Sequence, residues 1–522
     1  MISSGNYEWE NKLNNVNYSK TKLSIDLRRL KYASIGVCFF YLVANGFALF
    51  NYIPQHDALN YINDFAGFWE IRLGRFMLPV YERIRGEITM PWLIGVISMA
   101  CLTAITYVLT DLLEIRKPFL IMIAAAFLSA NITHTELLSS FTYVADACML
   151  AALMACLFVY ILDRMNSRKR VIVSVSVMVL SLGIYQAYFS FAATLIILLS
   201  VKEIINSGKF QGKEVKKFLG YFSLLILSSL IYFLLKKIIM NILGVQGLSD
   251  YHSLTGFLND LGSLPSRIFV AYGSKFSMFF IRKEMNLGRI ANCLLVLAAA
   301  FIVSRLFRIR KVDFRTQIIF LILLFVSSFT ALMINIGAGM ISYRLSYAVF
   351  LYYLFLISLM EMILHSLDAT IKNMWPVGIS VCLLFLVIWS NIVYSNGAYT
   401  IQKVIFDRSI SLYTRVLDDM YEIPEYVHNS TPVVILGDWS FDDYAYDYAK
   451  KEFRDLGTFM NTSVTYRQTV GNLMRYLGED IQLIGDDTVI KSVTEHPEVQ
   501  KMPSFPMKGY CRMVDDFLVI NF

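Results

Sequence analysis

The chain has little charge: 17% of its 522 residues are Asp, Glu, Lys or Arg, whereas 56% are apolar. Water-soluble domains have about a quarter of charged residues, so this composition excludes an ordinary soluble enzyme. The Lys and Arg residues behind the net charge of +7 gather in short segments between apolar runs. We interpret them as determinants of membrane topology and expect no nucleic-acid partner.

Several common signatures are missing as well. There is no Cys-x-x-Cys, and six of the seven cysteines lie in apolar runs, so neither a disulfide framework nor a cysteine metal site is indicated. The GAGM stretch at 337–340 lacks the context of a nucleotide-binding loop. Residues 1–30 lack the apolar core of a cleavable signal peptide, so we expect the first apolar run to be retained. We find no internal repeat.

What the sequence contains is a series of apolar runs, many of about 18 residues or more, long enough to cross a hydrocarbon core of about 30 Å. They predict an all-α polytopic membrane protein with about eleven transmembrane helices. The run at 171–201 is too long for one ordinary crossing, and we divide it at Tyr185–Gln186. The predicted spans are 33–53, 92–110, 119–133, 137–162, 171–184, 187–201, 218–243, 290–307, 317–337, 345–364 and 374–394.

Basic residues predict the orientation of these spans. A basic head precedes the first span and places the N-terminus in the cytoplasm. Alternation then puts four basic loops on the same side, and only the loop near 365–373 is weakly basic. The four loops are 116–117, 164–170, 202–217 and 305–315.

On the outer side this topology places the loop 51–90, a turn near 134, a long loop at 244–289 and the tail. We therefore divide the chain into a transmembrane domain, 1–394, and a C-terminal extracytoplasmic domain, 395–522. In the tail, short apolar runs at Val433–Leu436 and Ile481–Ile484 predict strands between helices, as in a small α/β domain.

The stretch 55–90, in the first outer loop, has apolar residues every three or four positions. This spacing predicts an amphipathic helix at the membrane surface. On such a helix Asp57, Asp64 and Arg75 point to nearly one side, but Asp57 and Arg75 would stand about 27 Å apart. They share a substrate only if the segment bends, for which Gly67 and Gly74 are the expected positions.

Asp57 is the first candidate for catalysis. A carboxylate at the membrane surface is able to act as a general base toward a hydroxyl group. The simpler interpretation is that Asp57 caps the helix that follows it.

Cations on the outer side are the second candidate group. Arginines are uncommon in outer loops, and a lipid-linked phosphate would explain Arg72 and Arg75; ordinary lipid headgroups are the alternative. Lys236 and Arg344 lie near the outer ends of two predicted spans. Charge at this depth is costly and indicates a ligand; the alternative is that both side chains extend to the membrane–water interface.

Polar and aromatic residues near the same side are candidates for binding the acceptor or the sugar. His134 and Glu136 form a pair without a third metal ligand, so no metal site is assigned. Asp146 lies inside a span and Tyr185–Gln186 at a break; an aromatic interfacial turn is the simpler interpretation of the latter.

In order along the chain these features resemble the type II O-antigen glucosyltransferases, polytopic enzymes of the GT-C class. The elements are Asp57 after the first span, W-x4-GR at Trp69 to Arg75, and four further stretches. These are SFTYVADA at 140–147, YQAYFSFA at 185–192, YR at 343–344 and the closing 502–522. The family often has paired acids at the first element, where this chain has His56–Asp57, so Asp57 and Asp64 both stay open as the base.

The resemblance implies transfer of a sugar, glucose in that family, from a polyprenyl-phosphate donor to a lipid-linked polysaccharide such as O-antigen, on the outer face of the bacterial inner membrane. It implies inverting chemistry, with Asp57 or Asp64 as base and Arg75, Arg72, Lys236 or Arg344 on the phosphate. We assign Trp69 with the acceptor or sugar set. No cofactor is expected, and the question of a divalent metal is open. A flippase and a polyprenyl-phosphate glucosyltransferase would be pathway partners.

Two other functions fit parts of the pattern. A transporter or flippase of lipid-linked sugars would share the many spans, but would more often show internal repeats and deeper charges. A related transferase that decorates teichoic acid or protein would look the same in sequence.

Overall fold

The computed structural model describes residues 25–54, 57–60, 67–210, 212–246, 261–281, 286–339, 342–366, 371–437, 439 and 467–522. Helices dominate it. They are α1 (Leu27–Phe50), α2 (Asp57–Asn60), α3 (Gly67–Arg72), α4 (Leu78–Arg85), α5 (Pro91–Leu112), α6 (Pro118–Ser129), α7 (Ile132–Ser140), α8 (Ala145–Arg164), α9 (Arg170–Ile184), α10 (Tyr188–Ser207), α11 (Gly212–Ile242), α12 (Leu264–Phe276), α13 (Asn286–Ile309), α14 (Phe314–Ala338), α15 (Leu351–Leu364), α16 (Ile371–Tyr421), α17 (Arg467–Tyr476) and α18 (Asp487–Thr494).

The prediction of an all-α polytopic membrane protein is confirmed. Ten helical stretches within the described residues are long and apolar enough to cross a membrane, and α9 is a shorter apolar helix that accounts for the eleventh predicted span. The division of 171–201 is also confirmed, because α9 ends at Ile184 and α10 begins at Tyr188. Proline opens α5 and α6, at the helix position where its missing N–H costs nothing.

The predicted outer turn near 134 is wrong. Residues 132–140 form the separate helix α7, which is buried throughout. Asn131 caps it, since its side chain accepts hydrogen bonds from the N–H groups of Thr133 and His134. Partners inside the bundle satisfy Thr133, Thr135 and Glu136 of α7, which a hydropathy pattern does not reveal.

Helix packing gives the bundle one core. Helix α1 packs on α5 and α6, α8 packs on α5 and α9, and α10 packs on α14. Helices α11, α13 and α14 lie at the edge and bury only 17%, 28% and 28% of their apolar windows. Their exposed apolar faces suit contact with lipid.

Four loops that the sequence predicts to be cytoplasmic meet at one end of the bundle, which we call the paired end. Its cations bind acidic side chains from neighbouring helix ends. The pairs are Arg29–Asp111 at 2.5 Å, Arg164–Asp111 at 3.3 Å, Lys202–Glu114 at 2.9 Å and Lys217–Asp163 at 2.7 Å. In addition, the N–H of Phe210 donates to Thr316 Oγ1 across two of the loops.

The C-terminal region contains a four-stranded sheet in the order β2-β1-β4-β3. The two strands predicted from sequence are present as β1 (Pro432–Leu436) and β2 (Gln482–Leu483); β3 (Cys511–Val514) and β4 (Phe517–Asn521) complete the sheet. Strand β1 is parallel to β2 and β4, and β3 is antiparallel to β4. The predicted domain boundary between 394 and 395 lies inside α16, which runs without interruption from the last span into the tail.

Candidate functional site

The segment after the first span is not the single amphipathic helix that its periodicity predicts. Within the described part, α3 ends at Arg72 and α4 begins at Leu78. Gly74 stops α3 in the left-handed conformation, with φ +85°. The N–H of Arg75 donates to the carbonyl of Glu70 and that of Gly74 to Ile71, which closes the helix end as in a Schellman motif. The bend expected at Gly74 is therefore present.

This turn lies against helix α11 and the break between α9 and α10. A Cβ on Gly74 would stand 2.6 Å from the Tyr232 hydroxyl and 3.0 Å from Lys236 Cδ, so a side chain would not fit without a shift. Gln186 Nε2 donates to the carbonyl of Leu73 at 3.0 Å and to the Tyr232 hydroxyl at 2.8 Å. Three distant parts of the chain thus meet at Gly74.

Arg75 extends from the turn into the bundle. Its guanidinium binds the buried carboxylate of Glu70 at 2.9 Å and lies 4.8 Å from the centroid of the Tyr185 ring. Burial lowers the pKa of Arg75, but the charge of Glu70 and nearby tyrosines raise that pKa by more, so the group stays cationic.

Arg344 approaches the same place from the other side of the bundle. Its charge interacts with Arg75 and Tyr185, and its Cζ lies 3.8 Å from the centroid of the Phe141 ring. Glu136 accepts hydrogen bonds from the backbone N–H of Arg344 and from Ser342 Oγ. Among the described residues, no carboxylate forms an ion pair with the Arg344 guanidinium.

Lys236 completes what we call the cationic cluster: Arg75, Lys236 and Arg344. Its side chain is half-buried beside Gly74. Within the described parts of the chain its ammonium has no ion pair or hydrogen bond. Positive charge that is partly shielded from water and lacks an acidic partner is suited to an anionic ligand.

A second arginine of the same segment is fully committed to the fold. Arg85 binds Asp146 at 2.9 Å, with side chains 2% and 0% exposed, and Tyr81 donates to the other carboxylate oxygen at 2.7 Å. The N–H of Met77 donates to the carbonyl of Gly183. These contacts hold α4 against α8 and α9, so Asp146 anchors the segment that bears Arg75.

Sequence reasoning missed two acidic residues in this segment. Glu70 is 1% exposed and pairs with Arg75, and Glu82 is 2% exposed. The pKa of Glu82 is raised to about 8, mainly by burial; the charge of Arg85 lowers this pKa, and the charges of Glu70 and Asp146 raise it. Its Oε2 has no hydrogen-bond partner among the described residues. The available signal in the sequence was the short spacing of Glu70 from Arg75 and of Glu82 from Arg85. For Glu70 and Arg75 this spacing produces an ion pair because the chain bends at Gly74.

Three predicted residues lie apart from the cluster. Arg72 is exposed, and its Nε donates to the carbonyl of Gln246. The Trp69 side chain is 45% exposed. His134 is buried between Tyr41 and Tyr347, and its Nε2 lies 2.8 Å from the carbonyl of Leu128.

Of the two predicted catalytic acids, Asp64 lies outside the described residues, and so does the side chain of Asp57. The backbone of Asp57 begins α2. No group of three or more His, Cys, Asp or Glu side chains in the described ranges is placed to hold a metal ion.

The fold is that of a multi-pass membrane protein, and Lys236 and Arg344 form no ion pair among the described residues. The family model for Glucosyl transferase GtrII matches residues 46–387, and the chain belongs to this family. It is therefore a membrane glucosyltransferase rather than the transporter considered above. No curated protein and no solved structure matches the chain significantly.

Proposed function

We propose that the protein transfers glucose from a polyprenyl-phosphate donor to a lipid-linked O-antigen polysaccharide, as in enzymes of the GT-C class. The observation that supports this most is the cationic cluster of Arg75, Lys236 and Arg344. Two of its three cations, Lys236 and Arg344, form no ion pair among the described residues, which would leave them available to the phosphate of the donor.

In the proposed reaction the carboxylate of Asp57 takes the proton from an acceptor hydroxyl group. The hydroxyl oxygen forms a bond to C1 of glucose while the bond from C1 to the phosphate oxygen breaks, on the opposite face, so the anomeric configuration inverts. The electron pair stays on the departing polyprenyl phosphate. Arg75, Lys236 and Arg344 stabilise that charge as it develops. Asp64 is the alternative base.

The basic loops support an orientation with this site on the outer side. We therefore propose the inner membrane of a bacterium, with the N-terminus in the cytoplasm and the C-terminal region in the periplasm. A donor of this kind has to be made and moved across the membrane, so a polyprenyl-phosphate glucosyltransferase and a flippase would act before this enzyme.

The test is transfer by the purified protein in proteoliposomes, with labelled polyprenyl-phosphate glucose and lipid-linked polysaccharide. Label should reach the polysaccharide from this donor and not from a nucleotide sugar. Asp57→Asn should lower kcat by about 10²- to 10⁴-fold, with Asp64→Asn as the matched variant that decides between the two acids. Transfer from a nucleotide sugar alone would contradict the proposal. A normal kcat for both variants would show that neither Asp57 nor Asp64 is the base.

A further inference from the structure

The C-terminal region packs directly onto the loop that carries Asp57. Ile53 and Leu59, on either side of Asp57, are 7% and 5% exposed. Both belong to an apolar cluster, which we call the junction cluster, whose other members come from the extension of α16, from β1, from α17 and from the end of the chain. These members include Tyr413, Val416, Met420, Val470, Leu473 and Phe522.

The same loop also contacts the transmembrane bundle. Ala58, next to Asp57, is fully buried in the core of the bundle. The hydroxyl group of Tyr52 forms a hydrogen bond with the side chain of Thr89 and interacts electrostatically with the hydroxyl group of Tyr476 of α17. Helix α2 is thus held on one side by the bundle and on the other by α17.

A four-residue helix has no stability of its own, since nucleation costs more than one turn of hydrogen bonds returns. The position of α2 is therefore set by what it packs against. The family match ends at residue 387, before the C-terminal region begins to contribute to the junction cluster.

We infer that the C-terminal region positions the catalytic loop through the junction cluster, and that Leu59 is a positioning residue for Asp57. This inference rests on the proposed role of Asp57 as base. A base has to stand within hydrogen-bond reach of the acceptor hydroxyl, and a displacement of about 1 Å costs about 100-fold in rate.

The experiment compares four variants of the full-length protein in proteoliposomes: Leu59→Ala, Leu59→Met, Val470→Ala and Val434→Ala. Val470 and Val434 are both fully buried in the C-terminal region and lose the same two methyl groups. Only Val470 belongs to the junction cluster; Val434 lies in the apolar cluster on the other face of β1. Val434→Ala is therefore the matched control for a general loss of packing.

Two measurements are made on each variant: kcat and donor KM for transfer, and hydrogen exchange of the backbone amides of residues 53–60. We expect Leu59→Ala and Val470→Ala to speed exchange in this loop and to lower kcat about 10- to 100-fold with donor KM nearly unchanged. Leu59→Met should restore kcat, because it refills the volume. Val434→Ala should leave both measurements near wild type.

Unchanged exchange in 53–60 for Val470→Ala would overturn the inference, as would faster exchange with normal kcat. An equal effect of Val434→Ala would also overturn it. Should wild type transfer no glucose from the polyprenyl donor, the proposed function fails, while exchange still tests the packing of the loop. If Leu59→Ala does not fold, Val470→Ala and Leu59→Met decide.

Discussion

The two polar ends of the helical bundle use charge differently. At the paired end Arg29, Arg164, Lys202 and Lys217 each bind an acidic side chain from a neighbouring helix end. At the other end Arg75 and Arg85 are paired, but the Lys236 ammonium and the Arg344 guanidinium form no ion pair among the described residues.

The difference separates charge that supports the fold from charge available to a ligand. A paired charge near a bilayer has its desolvation cost offset inside the protein. An unpaired one remains costly until an anion arrives, so it indicates binding. The raised pKa of Glu82 strengthens the contrast, because a protonated Glu82 removes one negative charge from the end that already has spare cations.

We expect the largest effect on stability from Arg85, which lies in the same segment as Arg75 and has a buried side chain. Arg85→Met leaves Asp146 charged and without its partner, so we expect a loss of about 3–5 kcal/mol in the free energy of unfolding. Arg164→Met, at the paired end, is the matched control; its side chain is 29% exposed and should cost much less. Denaturation in detergent measures both, and equal losses would contradict the distinction between buried and exposed pairs.

Glu82 predicts a pH dependence of stability. Its pKa is about 8 in the folded protein against 4.5 as the ordinary value. Between these values the folded state keeps a proton that the unfolded state has lost. The free energy of unfolding should therefore fall as pH rises from 4.5 to 8, by about 1.4 kcal/mol per pH unit from this group. Glu82→Gln should flatten that slope, and an unchanged slope would show that Glu82 is not the titrating group.

Helix α11 offers a comparison of both ends within one element. Lys217, near its start, pairs with Asp163 and is 37% exposed, whereas Lys236, near its end, lies in the cationic cluster. Lys236→Met should raise donor KM about 10-fold, as expected for one charged contact to phosphate. Lys217→Met should leave donor KM unchanged and cost at most about 1 kcal/mol of stability. An equal change in KM for both variants would remove Lys236 from the proposed phosphate site.

Much of this architecture was predictable, because a bilayer constrains helices by length and hydropathy. The predicted spans, the break at Tyr185–Gln186 and the strands β1 and β2 all follow from local pattern. The buried helix α7 was not predicted, because the partners of Thr133, Thr135 and Glu136 are distant in the chain. The single helix expected over 55–90 was wrong for a related reason: periodicity continued past Gly74, whereas a left-handed glycine ended the helix.

The sequence by itself determined the membrane class, the number of apolar segments and the presence of several arginines in the loop 51–90, because these depend on composition and short-range spacing. Only the tertiary structure decided which cations meet. Arg75, Lys236 and Arg344 stand more than a hundred residues apart in sequence; helix packing places the Lys236 side chain beside Gly74, the neighbour of Arg75, and brings the charge of Arg344 close enough to interact with that of Arg75. It also decided which arginine supports the fold: Arg85 is 2% exposed and pairs with Asp146 of another helix, whereas Arg75 is 20% exposed and pairs with Glu70 of its own segment.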